Sequence, residues 1–168
     1  STPEYRKLVT GLLLFALVNS SDVFLLLKVK QSGADDFTVI SVYIFYNLVY
    51  ALAAFPIGIL ADRIGLKAIF LFGLGVFSVV YFGMGMNNSP FIFYLLFFLY
   101  GIYAASTEGI AKAWISNVSD KKDTATAIGT YTAFQSICAL FASSIAGLIW
   151  YRFTAETALI LAGAMTVV

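Results

Sequence analysis

Six long apolar runs separated by short polar segments constrain this chain more than any other feature. A helix needs about 20 predominantly apolar residues to span a lipid bilayer, and runs of that order recur along the sequence. They cover residues 8–27, 37–61, 68–86, 91–118, 124–150 and 155–168. Only 11% of the residues are charged, against about 25% in soluble proteins. The sequence therefore predicts an all-α membrane protein, a single domain of six transmembrane helices.

The composition also argues against several classes of function. The chain contains no His, and its sequence has no cluster of metal ligands and no paired nucleophile and base, so we expect neither an enzyme nor a metal or other cofactor. The single Cys138 lies inside an apolar run and provides no disulfide framework. We expect the lipid bilayer, and no nucleic acid, as a partner.

The link between the second and third runs is a short charged turn. It contains Gly58, Asp62, Arg63, Gly65 and Lys67. A charged side chain costs roughly 2.5 to 3.5 kcal/mol at the bilayer centre on insertion scales, so Asp62 and Arg63 mark a membrane surface. Gly65 can adopt the positive φ that a tight reversal needs. We expect Asp62 to precede the next helix and to face the positive end of its dipole.

This turn resembles the signature loop of the major facilitator superfamily, a family of transporters. The matching residues are Gly58, Leu60, Ala61, Asp62, Arg63, Gly65 and Lys67, whereas Leu66 stands where a basic residue is common. The resemblance implies half of a twelve-helix fold, built as two inverted repeats of three helices. In that family the loop stabilises one closed state through charge contacts that break in the other. The resemblance thus implies a conformational switch, with a simple loop anchor as the alternative.

Two further segments resemble the C-terminal half of bacterial members of this family. They are Asn19-Ser20-Ser21-Asp22 in the first run and Thr107-Glu108-Gly109 in the fourth. The fifth run lacks the proline that many members carry there. The last run has no polar end, so we expect the chain to be part of a longer protein. An N-terminal six-helix half, or a second copy of this chain, would complete the transporter.

Polar side chains inside the apolar runs mark the helices that we expect to line a cavity. Each such residue is costly unless it faces protein or water. They occur in the interiors of runs one, two, four and five, whereas run three carries no charged or amide side chain and run six has only Glu156, at its start. Runs three and six are expected to lie outside the cavity. The candidates for transport or coupling are Glu108, Asp22 and Lys112, and the candidates for polar cavity residues are Asn19, Asn47 and Gln135.

Each of these residues has an alternative role. Glu108 either binds a proton or the substrate, or forms a structural ion pair with Lys112 one helical turn away. Asp22 either acts in transport or reaches the outer interface and caps a helix break. The amides either bind a polar solute or bond a neighbouring helix. The two acids follow similar Ser-rich segments on runs that enter from opposite sides, as in an inverted repeat.

Small residues predict one helix contact. On the fourth run they recur every four residues, as they do on the fifth, and small side chains let two helices approach closely. We therefore expect the two runs to pair through Gly101, Ala105 and Gly109 on one side and Ala139, Ser143 and Gly147 on the other.

Basic residues are unevenly divided between the two ends of the bundle. One end holds Arg6, Lys7, Arg63, Lys67, Lys121 and Lys122, and the other holds Lys28, Lys30 and Arg152. The richer end is expected to be cytoplasmic, which places the N-terminus of this chain and the signature turn there. We expect a multi-pass protein of the plasma membrane, the inner membrane of a bacterium.

Together these features predict half of a secondary active transporter that moves a small solute by alternating access and is driven by protons. With no His available, carboxylates would have to handle those protons. The alternative is a six-span scaffold or assembly protein that keeps the fold and transports nothing. Replacing Glu108 separates the two, because a transporter should lose coupled flux and a scaffold only stability.

Overall fold

The protein is described here by a computed structural model that covers residues 3–167. This part of the chain forms helices and no strands, so the predicted all-α fold is confirmed. Helices α3 to α6 are long and apolar enough to cross a membrane, and α7 is a shorter apolar helix. The bounds are α1 Pro3–Ala16, α2 Val23–Gln31, α3 Asp36–Ile64, α4 Leu66–Met86, α5 Pro90–Val118, α6 Thr124–Arg152 and α7 Ala155–Val167.

The first predicted span is divided into two helices, so its continuous bounds of 8–27 are wrong. Helix α1 ends at Ala16 and α2 begins at Val23, and we call residues 17–22 the helix break. The break contains Asn19, two serines and Asp22, residue types whose side chains compete for backbone hydrogen bonds and disfavour a helix interior. The Oγ of Ser21 accepts one such bond from the amide of Val23, at 3.4 Å.

The turn between α3 and α4 consists of a single residue. Gly65 has φ +98°, as predicted for this glycine, and its amide donates to the carbonyl of Ala61 at 2.9 Å. Helix α3 runs on to Ile64, so Asp62 lies in its last turn. The expectation that Asp62 directly precedes α4 is therefore wrong, because one glycine with positive φ suffices for the reversal.

The start of α3 is fixed by a side-chain cap. The carboxylate of Asp35 accepts a hydrogen bond from the amide of Thr38 at 3.0 Å. Hydrogen bonding from Thr38 lowers the pKa of the Asp35 carboxyl below its ordinary value. This cap ends the polar connection that follows α2 and sets the first turn of α3.

Helix α5 is the centre of the bundle. It packs against α3 and α4, and α4 in turn packs against α7. An aromatic cluster fills the space between these helices: Phe77 stacks on Tyr81 with ring centroids 4.0 Å apart, and Tyr103 lies 5.1 Å from Phe77. Little of α3 and α6 is buried within the described part of the chain, which leaves broad apolar faces on both helices.

The small residues of α5 contact different helices from the one predicted. A Cβ built on Gly101 would lie 2.8 Å from the carbonyl oxygen of Tyr46 and 2.8 Å from the Cβ of Val49, so α3 approaches α5 there. On α6, Gly147 instead faces Phe24 of α2 at 3.7 Å. The predicted pairing of α5 and α6 through their small residues is therefore wrong, since α3 occupies the close approach to α5.

Candidate functional site

A small cavity between α1, α5 and α6 brings together several of the predicted polar residues. Its volume is about 50 Å³, and we call it the polar cavity. Asn19 from the helix break, Glu108 from α5 and Gln135 from α6 line it. The hydroxyl-bearing residues Tyr103, Thr107 and Tyr131 and the apolar residues Leu12, Phe15, Ala16, Phe70 and Ala111 complete the wall.

Glu108 lies at the open side of the polar cavity. Glu108 is exposed on the surface of the described part of the chain, and its Oε2 accepts a hydrogen bond from the hydroxyl of Tyr50 on α3 at 3.2 Å. Between residues 3 and 167 the ion pairs are Lys28–Glu156 and Lys30–Asp36. The alternative of a Glu108–Lys112 ion pair is therefore wrong in this structure. Lys112 is exposed and does not line the cavity.

Asn19 contributes an unsatisfied acceptor to the same cavity. Its Oδ1 is buried and has no hydrogen-bond partner among residues 3–167. A buried polar atom without a partner costs about 1–3 kcal/mol, so such atoms in native proteins usually serve a ligand, an ion or a water. The helix break places Asn19 just beyond the end of α1, where amides of the break already donate to the carbonyls of Leu13 and Phe15.

The acid at the helix break, Asp22, has a different environment. Its carboxylate accepts hydrogen bonds from the hydroxyl of Tyr46 on α3 at 2.7 Å and from the hydroxyl of Tyr100 on α5 at 2.6 Å. Asp22 occupies the N-cap position of α2, yet its side chain makes no capping bond. The capping alternative is therefore wrong, and the carboxylate instead ties the break to two spanning helices.

A third contact fixes the break from the side of α6. The Oγ of Ser143 accepts a hydrogen bond from the amide of Ser21 at 3.1 Å. The hydroxyl of Tyr81 on α4 is also buried, and it has no hydrogen-bond partner among residues 3–167. The break is thus held in one conformation by side chains from α3, α5 and α6.

Asn47 does not join the polar cavity. Its Nδ2 donates to the carbonyl of Tyr43 in the preceding turn of α3 at 2.8 Å. This bond satisfies the amide within its own helix, and Asn47 is absent from the residues that line the cavity.

Three of the five predicted switch residues line one of two grooves, whereas Arg63 and Gly65 line neither. Gly58 and Asp62 line a groove of about 220 Å³ between α3 and α5, and Tyr50 lines it as well. Lys67 lines a larger, mostly apolar groove of about 550 Å³ beside α1, together with Lys7. The larger groove has none of the amides or acids proposed for transport, so we place the candidate site in the smaller polar cavity.

The sequence reasoning missed a set of tyrosines and one ion pair. Tyr46 and Tyr50 are one turn apart on α3 and donate hydrogen bonds to Asp22 and Glu108. Their spacing was the available signal, because it puts both hydroxyl groups on one face of α3. Lys28, only 2% exposed, pairs with Glu156 and links α2 to α7. The sequence places Lys28 directly after the first apolar run, at one end of the bundle, and gives no signal that this lysine is buried.

Comparison with known proteins agrees with this architecture. The family model described as Major Facilitator Superfamily matches residues 8–168. An uncharacterized MFS-type transporter of Methanocaldococcus jannaschii is 36% identical over 143 residues, which cover 82% of this chain and 36% of that protein. The chain thus spans about a third of the length of this relative. On the strength of both matches, the chain belongs to the major facilitator superfamily, a family of membrane transporters.

Proposed function

We propose that this chain is one six-helix half, the C-terminal half, of a secondary active transporter that moves a small solute by alternating access. The observation that carries the proposal is the polar cavity, which is lined by Asn19 of the helix break, Glu108 of α5 and Gln135 of α6. A carboxylate in a membrane-spanning helix is costly and is retained mainly for transport or coupling. The exposed faces of α3 and α6 are available to a second half of the protein or to a second copy.

Protons are the proposed driving ion, and Glu108 is the proposed proton carrier. No Lys or Arg in the described part of the chain forms an ion pair with Glu108. Its hydrogen-bond donor is the neutral hydroxyl of Tyr50. Protonation of the Glu108 carboxyl would therefore remove a negative charge that no Lys or Arg in the described part of the chain neutralises. That charge would cost more free energy in a conformation that buries Glu108 than in one that exposes it.

The α3–α4 junction is the proposed conformational switch. Tyr50 donates to Glu108 and also lines the groove that contains Gly58 and Asp62. One side chain therefore contacts both the proposed proton carrier and the groove at the switch. Arg63, Gly65 and Lys67 complete the proposed switch. The basic residues at that end support a cytoplasmic location for the switch and for the N-terminus of this chain.

The proposal is tested with the full-length protein in proteoliposomes and a panel of small solutes that differ in charge. We expect accumulation of at least one solute against its gradient, abolished by a protonophore, together with acidification or alkalinisation of the vesicle interior. Glu108→Gln should lose the proton-coupled accumulation, whereas Asp120→Asn, on an exposed connection, should retain it. Asp22→Asn tests the second candidate acid.

Two outcomes would contradict the proposal. If Glu108→Gln and Asp22→Asn both leave pH-dependent flux intact, proton coupling through these acids is wrong. If no solute moves in the wild-type protein and Glu108→Gln changes only stability, the six-span scaffold is the better account.

A further inference from the structure

We propose that a groove between α1 and α4 binds one anionic phospholipid. It is the mostly apolar groove of about 550 Å³ beside α1, and we call it the α1–α4 groove. Its volume lies within the range of about 300–1,000 Å³ that is common for ligand sites. The site is separate from the polar cavity, and the inference does not rest on the proposed transport function.

The groove exists because two helices pack on a third and leave a gap between them. Helices α1 and α4 both contact α5 but make little contact with each other. Gly11 widens the gap on the side of α1, since a Cβ built there would meet nothing within 4 Å. Trp114 of α5 also lines the gap, and its ring lies 6.3 Å from that of Phe70 on α4. The helices thus leave a space that no side chain of the described residues fills.

The lining residues divide the α1–α4 groove into a charged end and an apolar interior. Glu4, Lys7 and Lys67 lie in the first two turns of α1 and α4. From Glu4 to Leu12 the groove follows α1 for about 12 Å, which is most of the roughly 15 Å of hydrocarbon in one leaflet. This pattern matches a phospholipid, with its headgroup at the charged end and an acyl chain along the interior. The apolar interior consists of Leu8, Gly11, Leu12, Phe70, Leu71 and Leu74.

The charges at the outer end favour an anionic headgroup. Neither Lys7 nor Lys67 forms an ion pair with a described residue. Glu4 is the one acid among the lining residues, so the two lysines leave a net charge of one positive unit. Helices α1 and α4 both begin at this end, and the positive ends of their dipoles add to that charge. Basic pockets between membrane helices are recurrent sites for anionic lipid headgroups.

The position of the groove favours a lipid over other occupants. The faces proposed to meet the second half of the protein belong to α3 and α6, and neither helix lines this groove. Helix α4 is long and apolar enough to cross a membrane, and its Leu71 is 54% exposed in the groove wall. A free phosphate ion would leave this apolar wall uncovered, whereas the acyl chain of a lipid buries it.

The experiment measures the quenching of tryptophan fluorescence by brominated lipids, which act only at short range. The full-length protein is reconstituted in phosphatidylcholine vesicles that contain increasing fractions of dibrominated phosphatidylglycerol. A parallel series contains dibrominated phosphatidylcholine. The difference between the wild type and Trp114→Phe isolates the signal of Trp114. We expect half-maximal quenching of Trp114 at an about fivefold lower fraction of the anionic lipid than of the neutral one.

The variants test which charges select the lipid. The double variant Lys7→Ala, Lys67→Ala should quench alike with both lipids, because the positive charge at the groove is lost. The matched control Lys121→Ala, Lys122→Ala removes two lysines outside the groove, from the connection between α5 and α6, and should keep the preference. Glu4→Gln should strengthen the preference, because it removes the acid that repels a phosphate.

Three results would overturn the lipid site. The first is an equal quenching curve for the two lipids in the wild type, and the second is a preference that persists in Lys7→Ala, Lys67→Ala. The third is a Trp114 signal that neither lipid quenches, which would mean that a protein segment covers the groove. If the lysine variant fails to fold, Gly11→Leu takes its place. Its side chain extends into the open part of the groove and should reduce the maximal quenching of Trp114, whereas unchanged quenching would contradict the site.

Discussion

The carboxylate of Asp22 accepts a hydrogen bond of 2.6 Å from the hydroxyl of Tyr100, which ties the helix break to the centre of α5. A second bond, from Tyr46 at 2.7 Å, ties it to α3. Hydrogen bonds to a charged acceptor are shorter and stronger than neutral ones. Asp22 is therefore a structural joint between three segments in this conformation.

Removing one donor should weaken this joint measurably. We expect Tyr100→Phe to lower the free energy of unfolding by about 1 kcal/mol, a typical value for a hydrogen bond between membrane helices. Tyr151→Phe is the control, since Tyr151 is 84% exposed and should change stability little. Unfolding in mixed micelles with increasing SDS measures both. Equal stability of the two variants would show that the bond contributes nothing.

A pair of glycines on α5 tests the close approach of α3. Gly101→Ala introduces a Cβ 2.8 Å from Tyr46 and Val49, so we expect a loss of about 1–3 kcal/mol of unfolding free energy. Gly109→Ala, on the same helix, meets nothing within 4 Å and should be neutral or slightly stabilising. The same SDS titration applies. If Gly109→Ala were less stable than Gly101→Ala, α5 would present another face to α3.

The ion pair between Lys28 and Glu156 should respond asymmetrically to mutation. The Lys28 side chain is 3% exposed and that of Glu156 is 44% exposed. Glu156→Ala leaves a buried ammonium without a partner, which costs about 3 kcal/mol. Lys28→Met leaves a carboxylate that can reach water, so it should cost less. The double variant should recover most of the loss, and a double-mutant cycle measures this coupling. Additive losses would show that the pair is not coupled.

The cap at Asp35 predicts a dependence on pH at the start of α3. The pKa of its carboxyl is lowered in the folded protein because the carboxylate accepts hydrogen bonds from Thr38. Its contribution to stability is therefore present above the ordinary Asp pKa of about 3.9 and is lost as the pH falls through the lower folded value. The difference in unfolding free energy between the wild type and Asp35→Ala should therefore shrink as the sample is acidified. A difference that grows at low pH would contradict the cap.

The sequence predicts those parts of the fold that depend on local pattern. The apolar runs after the first correspond closely to α3–α7, and the turn at Gly65 follows from the freedom of glycine at positive φ. The polar cavity residues Asn19, Glu108 and Gln135 were also identified, since each is costly in a membrane unless it faces protein or water. The helix break was visible only as a polar interruption of the first run.

Long-range partners could not be predicted in the same way. Tyr46 and Tyr100 lie 24 and 78 residues from Asp22, so no spacing rule connects them. The small residues of α5 fit any closely approaching helix, and pattern alone did not distinguish α3 from α6. The alternative of a Glu108–Lys112 ion pair is wrong for a related reason. A separation of one turn permits this contact without requiring it, and the hydroxyl of Tyr50 on α3 donates to the carboxylate instead.

The most direct test of the account is the protonation of Glu108 in the full-length protein, which requires no known substrate. Infrared difference spectra between acidic and near-neutral pH report the carbonyl band of a carboxyl that becomes protonated. We expect one component of that band to be absent in Glu108→Gln and retained in the loop control Asp120→Asn. A spectrum that Glu108→Gln leaves unchanged would contradict the assignment of Glu108 as the proton carrier.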